Sequence, residues 1–288
     1  VGARAEDLTF VPNATTGVNM AARALKLQPG DEVLSTNLEY GACIYTWRRH
    51  STFVEAPVDE LFERVTERTR AVYVSHVTSE TGLLLPVEEI VSRARELQLT
   101  TIVDGAHAPG HVDLDLDALG ADFYTGNCHK WLCAPKGAAF LHVKPEWQDR
   151  VDGAIVSWGY EEPATFLTKT ERQATRDPAA FLTVPDAIAW SRGHDERERC
   201  VALCREARGR LCELLGTEPV APESMIRQMA SVRLPRLDTT LSQRLWDDYK
   251  IEIPVSHDGE LLRISIAQYN DRADVDRLLS ALARELDA

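Results

Sequence analysis

No run of about eighteen apolar residues occurs anywhere in the chain, so the sequence offers no candidate for a membrane-crossing helix. It also has no basic run with interleaved aromatics. Acidic residues outnumber basic ones by 45 to 32, a formal net charge of −13, and such a surface argues against nucleic acid as a partner. The six cysteines include no C-x-x-C pair, and a chain of 288 residues needs no disulfide framework. Cys200 and Cys204, one helical turn apart, have no histidine beside them and read as packing residues. These features fit a reduced, cytoplasmic protein. No G-x-G-x-x-G follows the first strand and no Walker glycine–lysine loop is present, which argues against nicotinamide dinucleotides and nucleoside triphosphates. Internal repeats and low-complexity segments are absent. The opening VGARAEDLTFVPN has no charged leader ahead of an apolar stretch. Without an initiator methionine, it reads like the middle of a longer protein.

What is present is an ordinary globular composition, 44% hydrophobic and 27% charged, enough for a large core. Short β-rich runs alternate with longer helical patterns: Leu8 to Val11, Glu32 to Ser35, Ala71 to Ser75, Thr101 to Asp104, Asp122 to Thr125 and Ala138 to Val143 read as strands. Helices are expected at Thr16 to Leu25, capped by Asn13 or Thr15, and at Leu85 to Leu97 with Pro86 near its first position. The pattern predicts an α/β fold, a mostly parallel central sheet with helices on both faces. From Pro178 the texture changes to helical sequence interrupted at Pro185 and Gly193, followed by VRLP, a helix from Thr240 to Tyr249, IEIPV, LLRISI and a closing helix from Asp271. These predict a smaller α+β domain over residues 193–288, after a large domain over 1–192.

Ligands of open α/β sheets bind beyond the carboxyl ends of the strands. Four groups fall there. Pro12-Asn13-Ala14-Thr15-Thr16-Gly17 leads from a strand into a helix with unpaired amides and two hydroxyls, which serve equally as a cap or as an anion cradle. Tyr40 follows another strand and offers a ring for stacking. Asp104 ends a third, with His107 and His111 beyond; the proline and glycine between those histidines fix no common face, which argues against a metal. Lys130 in TGNCHKW follows the next strand, in sequence that otherwise reads as interior. Read alone, such a lysine is an ordinary half-exposed side chain with its stem on Trp131. Together, an anion cradle, a stacking ring, an aspartate and a lysine describe a site for a flat, anionic, protonated heteroaromatic aldehyde. Pyridoxal 5'-phosphate is that molecule, with Lys130 bonded to it.

The segments NATTGVN, EYGA, VDGAHAPG, NCHKW-APKG, TRDPAAF and LRISIAQYN resemble the class V aminotransferases of the fold-type I pyridoxal-phosphate enzymes. The branch is the isopenicillin N epimerase-like one, which also holds carbon–sulfur lyases and relatives of the cysteine desulfurases. Members are usually longer, so the resemblance implies a segment before Val1. It also implies that Lys130 bonds the cofactor, Asp104 pairs with its pyridine nitrogen and Tyr40 stacks on its ring. Ala14, Thr15, Thr16, Asn127 and His129 would surround the phosphate, and His107 and Ser79 would stand near the phenolic oxygen. Thr175 would reach the phosphate of a partner subunit in a homodimer with shared sites, with Arg176 a further interface and substrate candidate. Arg263 would hold the substrate carboxylate. The tryptophan and glycine usual before TRD are here Gln173 and Ala174.

For the reaction, the resemblance implies chemistry at the α-carbon of an amino acid: epimerisation, β-elimination from a cysteine sulfoxide, or transamination. A non-catalytic structural or regulatory relative is the remaining alternative. Desulfuration through a persulfide needs a nucleophilic loop cysteine ahead of the carboxylate arginine, and no cysteine lies between Pro219 and Arg263.

Overall fold

Seven β-rich runs form one sheet in the computed structural model, which describes residues 1–287. They are β1 (Leu8–Val11), β2 (Glu32–Thr36), β3 (Thr52–Ala56), β4 (Thr69–Ser75), β5 (Thr100–Gly105), β6 (Phe123–Asn127) and β7 (Ala139–Val143), in the spatial order β1-β7-β6-β5-β4-β2-β3. Strands β2 to β6 are parallel, while β7 runs antiparallel to both β6 and β1. Gly137, at φ +100°, supplies the left-handed turn residue just before β7. The sequence reading missed β3, an edge strand whose residues are mostly exposed or half-buried and so leave little hydrophobic pattern.

Helix α1 (Ala14–Ala24) begins two residues earlier than expected because Asn13 is the cap: its side chain accepts the Thr16 N–H at 2.8 Å. α2 (Gly41–His50) follows β2, and α3 (Val87–Glu96) follows β4 with Pro86 as its cap residue rather than its first helical one. Short helices α4 (Leu116–Leu119), α5 (Pro145–Gln148), α6 (Phe166–Glu171) and α7 (Ala179–Leu182) decorate the rest, before α8 (Val184–Gly193). The helical stretch is interrupted next to Pro185 as expected: α7 ends at Leu182 and α8 opens after Thr183, with Pro185 in its first turn, where a missing N–H leaves no bond unmade.

Val11, Val33, Tyr73, Ile102, Phe123 and Leu141 pack with Val18, Met20 and Ala21 of α1 in one core cluster. Residues of both pleat faces are buried along β4, as the β-branched run AVYVS requires of a strand covered on both sides. α1 lies so close to the sheet that a Cβ at Gly17 would meet Thr125 Oγ1 at 2.4 Å. That close approach sets where the first turn of α1 sits relative to the end of β6.

The chain divides into two compact units. The first holds residues 1–77 and 85–192. The second holds residues 193 onward and also takes the short segment 78–84 from the middle of the chain. In it, α9 (Arg197–Leu215), α10 (Leu241–Tyr249) and α11 (Arg272–Asp287) accompany the antiparallel pair β8 (Met229–Arg233) and β9 (Leu261–Ser265). IEIPV, expected as a strand, makes only an isolated bridge from Val255 to Leu262. Pro254 cannot donate to a ladder, which disfavours strand pairing there. Cys200 and Cys204 are buried on α9.

Candidate active site

Register brings the polar groups level. Ser75, Asp104 and Thr125 are paired across β4, β5 and β6. Asp104 is only 3% exposed. Its Oδ1 accepts the Ala106 N–H at 2.9 Å, and its Oδ2 accepts the Tyr73 hydroxyl at 3.1 Å and the Cys43 thiol at 3.6 Å. Tyr73 reaches it because Tyr73 pairs with Ile102, two residues before Asp104 and on the same pleat face. Burial pushes the Asp104 acid up from the ordinary carboxylate range, opposed by the Ala106 amide and the Tyr73 and Cys43 donors. Glu39, just beyond β2, is a second buried carboxyl. It accepts from the Thr36 hydroxyl at 2.5 Å, the Ser75 hydroxyl at 2.5 Å and the Ser75 N–H at 3.1 Å. Burial raises its pKa to about 7.

Val11 and Asn127 both pair with Ala139, one from each side of β7, so the ends of β1 and β6 lie level. Asn127 therefore reaches the start of α1, where its Oδ1 accepts the Ala14 N–H at 2.8 Å. The Thr16 hydroxyl donates to Asn13 Oδ1 at 3.1 Å, so its proton is committed to the cap, while Thr15 lies half-buried beside it.

Lys130 stands in the turn after β6, half-buried, with Nζ 2.9 Å from His107 Nε2. The Trp131 indole N–H donates to His107 Nδ1 at 3.3 Å. His129 Nδ1 bonds the Ala138 carbonyl at 3.0 Å, and burial holds its ring below the ordinary histidine range. Tyr40 is half exposed at the cap position of α2.

Asp104, His107, Lys130, His129, Asn127 and the first turn of α1 thus gather at the strand ends of the first unit. Ser79 and Arg263 belong to the second unit, where Arg263 Nη1 donates to the Ser79 carbonyl. The Arg263 Nε is buried with no hydrogen-bond partner among the described residues. Thr175 is exposed, and Arg176 lies over the Phe181 ring at 4.9 Å, away from the hydrogen bonds described for Lys130. Ala174, in place of the usual glycine, has φ +71°, the left-handed conformation that glycine adopts without strain.

Sequence reading missed Tyr73, Cys43 and Glu39. Tyr73 carried a usable signal, because a tyrosine inside a strand buried on both faces needs a partner for its hydroxyl. The other two became visible only through strand register.

The donor set fits the cofactor that the sequence pointed to. A buried carboxylate suits a protonated ring nitrogen, an amine suits an aldehyde, and the start of an eleven-residue helix suits a phosphate. The unanswered Nε of Arg263 suits a carboxylate. Fold and site together define an α/β protein with a half-buried lysine just beyond a strand of the central sheet. The aminotransferase class-V profile matches residues 1–278, and the chain belongs to that family, whose enzymes work with pyridoxal 5'-phosphate. The chain is similar to isopenicillin N epimerase of Amycolatopsis lactamdurans, 38% identical over 98% of this chain and 81% of that one. It is 25% identical to hercynylcysteine sulfoxide lyase of Schizosaccharomyces pombe, over 86% of this chain and 71% of the other. Among solved structures, a cystine C–S lyase complexed with cysteine persulfide superposes with TM-score 0.83 at 23% identity, covering 96% of this chain and 81% of that chain.

Proposed function

We propose that this protein acts at the α-carbon of an amino acid in the manner of isopenicillin N epimerase. The observation that carries the reading is Lys130 in the turn after β6, its Nζ 2.9 Å from His107 Nε2, at the same strand ends as buried Asp104; the 38% identity to an epimerase supports epimerisation among the reactions. When bound, pyridoxal 5'-phosphate withdraws electrons from the α-carbon of an amino acid joined to it. Asp104 holds the ring nitrogen's proton through an ion pair that its burial strengthens. The first turn of α1, with Thr15, Thr16, Asn127 and His129, holds the phosphate, and Tyr40 covers one face of the ring. Ser79 and His107 serve the phenolic oxygen. Arg263 takes the substrate carboxylate in its planar fork and so orients the Cα–H bond. Lys130 Nζ receives and returns the α-proton.

A second reading is β-elimination from a cysteine sulfoxide, supported by the similarity to hercynylcysteine sulfoxide lyase. It uses the same residues but needs a leaving group on Cβ. Incubating the holoenzyme in deuterated water with a panel of amino acids separates the two. Cα–H exchange with inversion and no pyruvate supports epimerisation. Pyruvate and ammonia from a cysteine sulfoxide support the lyase. Absence of exchange and of product across the panel removes both.

We further propose a homodimer in the cytoplasm. Ile155 at 55%, Val156 at 74%, Trp158 at 72% and Leu182 at 72% exposure give the first unit apolar surface to cover, and Thr175 is exposed as a residue serving a partner's phosphate would be. All six cysteines are free, which suits a reducing compartment. Among the described residues no helix is long and apolar enough to cross a membrane.

A further inference from the structure

We propose that Trp131 is a positioning residue that acts through His107 to hold the Lys130 amine in its neutral, nucleophilic form. The argument is one of donors and acceptors. An indole N–H can only donate. Because Trp131 Nε1 donates to His107 Nδ1 at 3.3 Å, that nitrogen is the acceptor, and the ring is neither the imidazolium nor the Nδ1–H tautomer. The ring proton is therefore on Nε2, 2.9 Å from Lys130 Nζ. An Nε2–H facing an amine needs a lone pair on that amine. An ammonium has none and would set two donors against each other.

The fold keeps the indole where this works. Its ring packs on His111 at 4.4 Å between centroids, tilted by 34°, and His111 Nδ1 bonds the His107 carbonyl at 3.0 Å, tying both histidines to one turn. Gly110, at φ +80°, allows that turn to lie on the Trp131 backbone, since a Cβ there would meet Trp131 C at 2.9 Å. The sequence VDGAHAPGH and the tryptophan after Lys130 thus form one device.

A neutral Nζ supplies the electron pair for the C–N bond to an aldehyde. The carbonyl oxygen leaves as water with the two amine hydrogens. Once the amine is released from that bond, its restored lone pair can accept a proton. The inference rests on the reading of Lys130 as the reactive amine, and the test keeps the two apart.

The full chain, stripped of cofactor, is mixed with pyridoxal 5'-phosphate across pH, and the capture rate is followed by absorbance. The adduct is then fixed with borohydride and mapped by mass spectrometry. Reductive ¹³C-methylation of the lysines, followed by NMR, reads the Lys130 protonation midpoint independently. Trp131→Phe keeps an aromatic ring beside His111 and removes the N–H donor. It is expected to move both midpoints up by about one pH unit, about tenfold slower capture below them. His107→Ala should shift them in the same direction, and the double variant should shift no further than His107→Ala alone. Midpoints unmoved in both single variants, or shifts that add in the double variant, overturn the inference while leaving Lys130 as the reactive amine. An adduct on a lysine other than Lys130 overturns that reading and the inference with it.

Discussion

The carboxylates of the first unit and the arginine of the second are built differently. Asp104 accepts from three donors and Glu39 from three, so both are fixed before anything binds. Arg263 donates to the Ser79 carbonyl but keeps a buried Nε unanswered, and burial lowers its pKa. A buried donor without a partner costs about 1 to 3 kcal/mol. A fold retains such a cost most readily where an incoming acceptor relieves it. The difference teaches which groups are already fully answered within their own unit and which still hold an unanswered donor.

The largest expected effect is that of Lys130→Ala in the first unit. It should reduce turnover by about 10⁴-fold while circular dichroism and the thermal midpoint stay near those of the parent, because the side chain is only half-buried. Next is Arg263→Met, which removes the unanswered donor together with the carboxylate fork. Steady-state kinetics should show a KM raised about a thousandfold, about 4 kcal/mol, with no fall in thermal midpoint. A large loss of stability instead would show that Arg263 is structural and end the contrast between the units.

A third test uses pH. Glu39 titrates near 7 in the fold against 4.5 when unfolded, so the unfolded chain releases its proton first and stability falls as pH rises from about 4.5 to 7. His76, buried with Nδ1 2.8 Å from the Tyr124 hydroxyl, has its pKa lowered to about 4 by burial, so its contribution is present above 6.5 and lost as pH falls toward 4. The two slopes oppose each other over nearly the same window. Glu39→Gln should raise stability at pH 8 by about 3 kcal/mol. Denaturant titrations of this variant should then show stability falling as pH drops below 6.5, a loss to which His76 contributes and which Glu39 no longer offsets. A variant with the parent's pH dependence would remove Glu39 from the account.

The smallest effect is expected at Ala174. Ala174→Gly should stabilise the chain by about 1 kcal/mol, because φ +71° strains an L side chain. An unchanged or lowered thermal midpoint would mean that the turn before Thr175 is unstrained.

Much of the central sheet could be read from the chain because parallel strands buried on both faces must be continuous apolar runs. AVYVS and TIVDG announce themselves in that way. The edge strand β3 did not, since only its last residue is buried. The segment 78–84 belongs to the second unit although it lies within the first unit's sequence, and no local pattern announces such a crossing. At the site, Lys130 and Asp104 were legible because charge in an apolar setting at a strand end is costly without a purpose. Ser79 was expected beside the cofactor by resemblance; its carbonyl bonds Arg263 in the structure.

By itself, the sequence determined the periodicities, the strand ends and the residue types placed there, because local pattern and the cost of burying charge act through neighbours along the chain. Only the tertiary structure decided that Asn127 meets the start of α1, that Tyr73 and Cys43 donate to Asp104, and that Trp131 donates to the His107 ring facing Lys130. Those pairings depend on register across strands and on which nitrogen of a ring finds a donor. Both are fixed by contacts between residues distant in the chain.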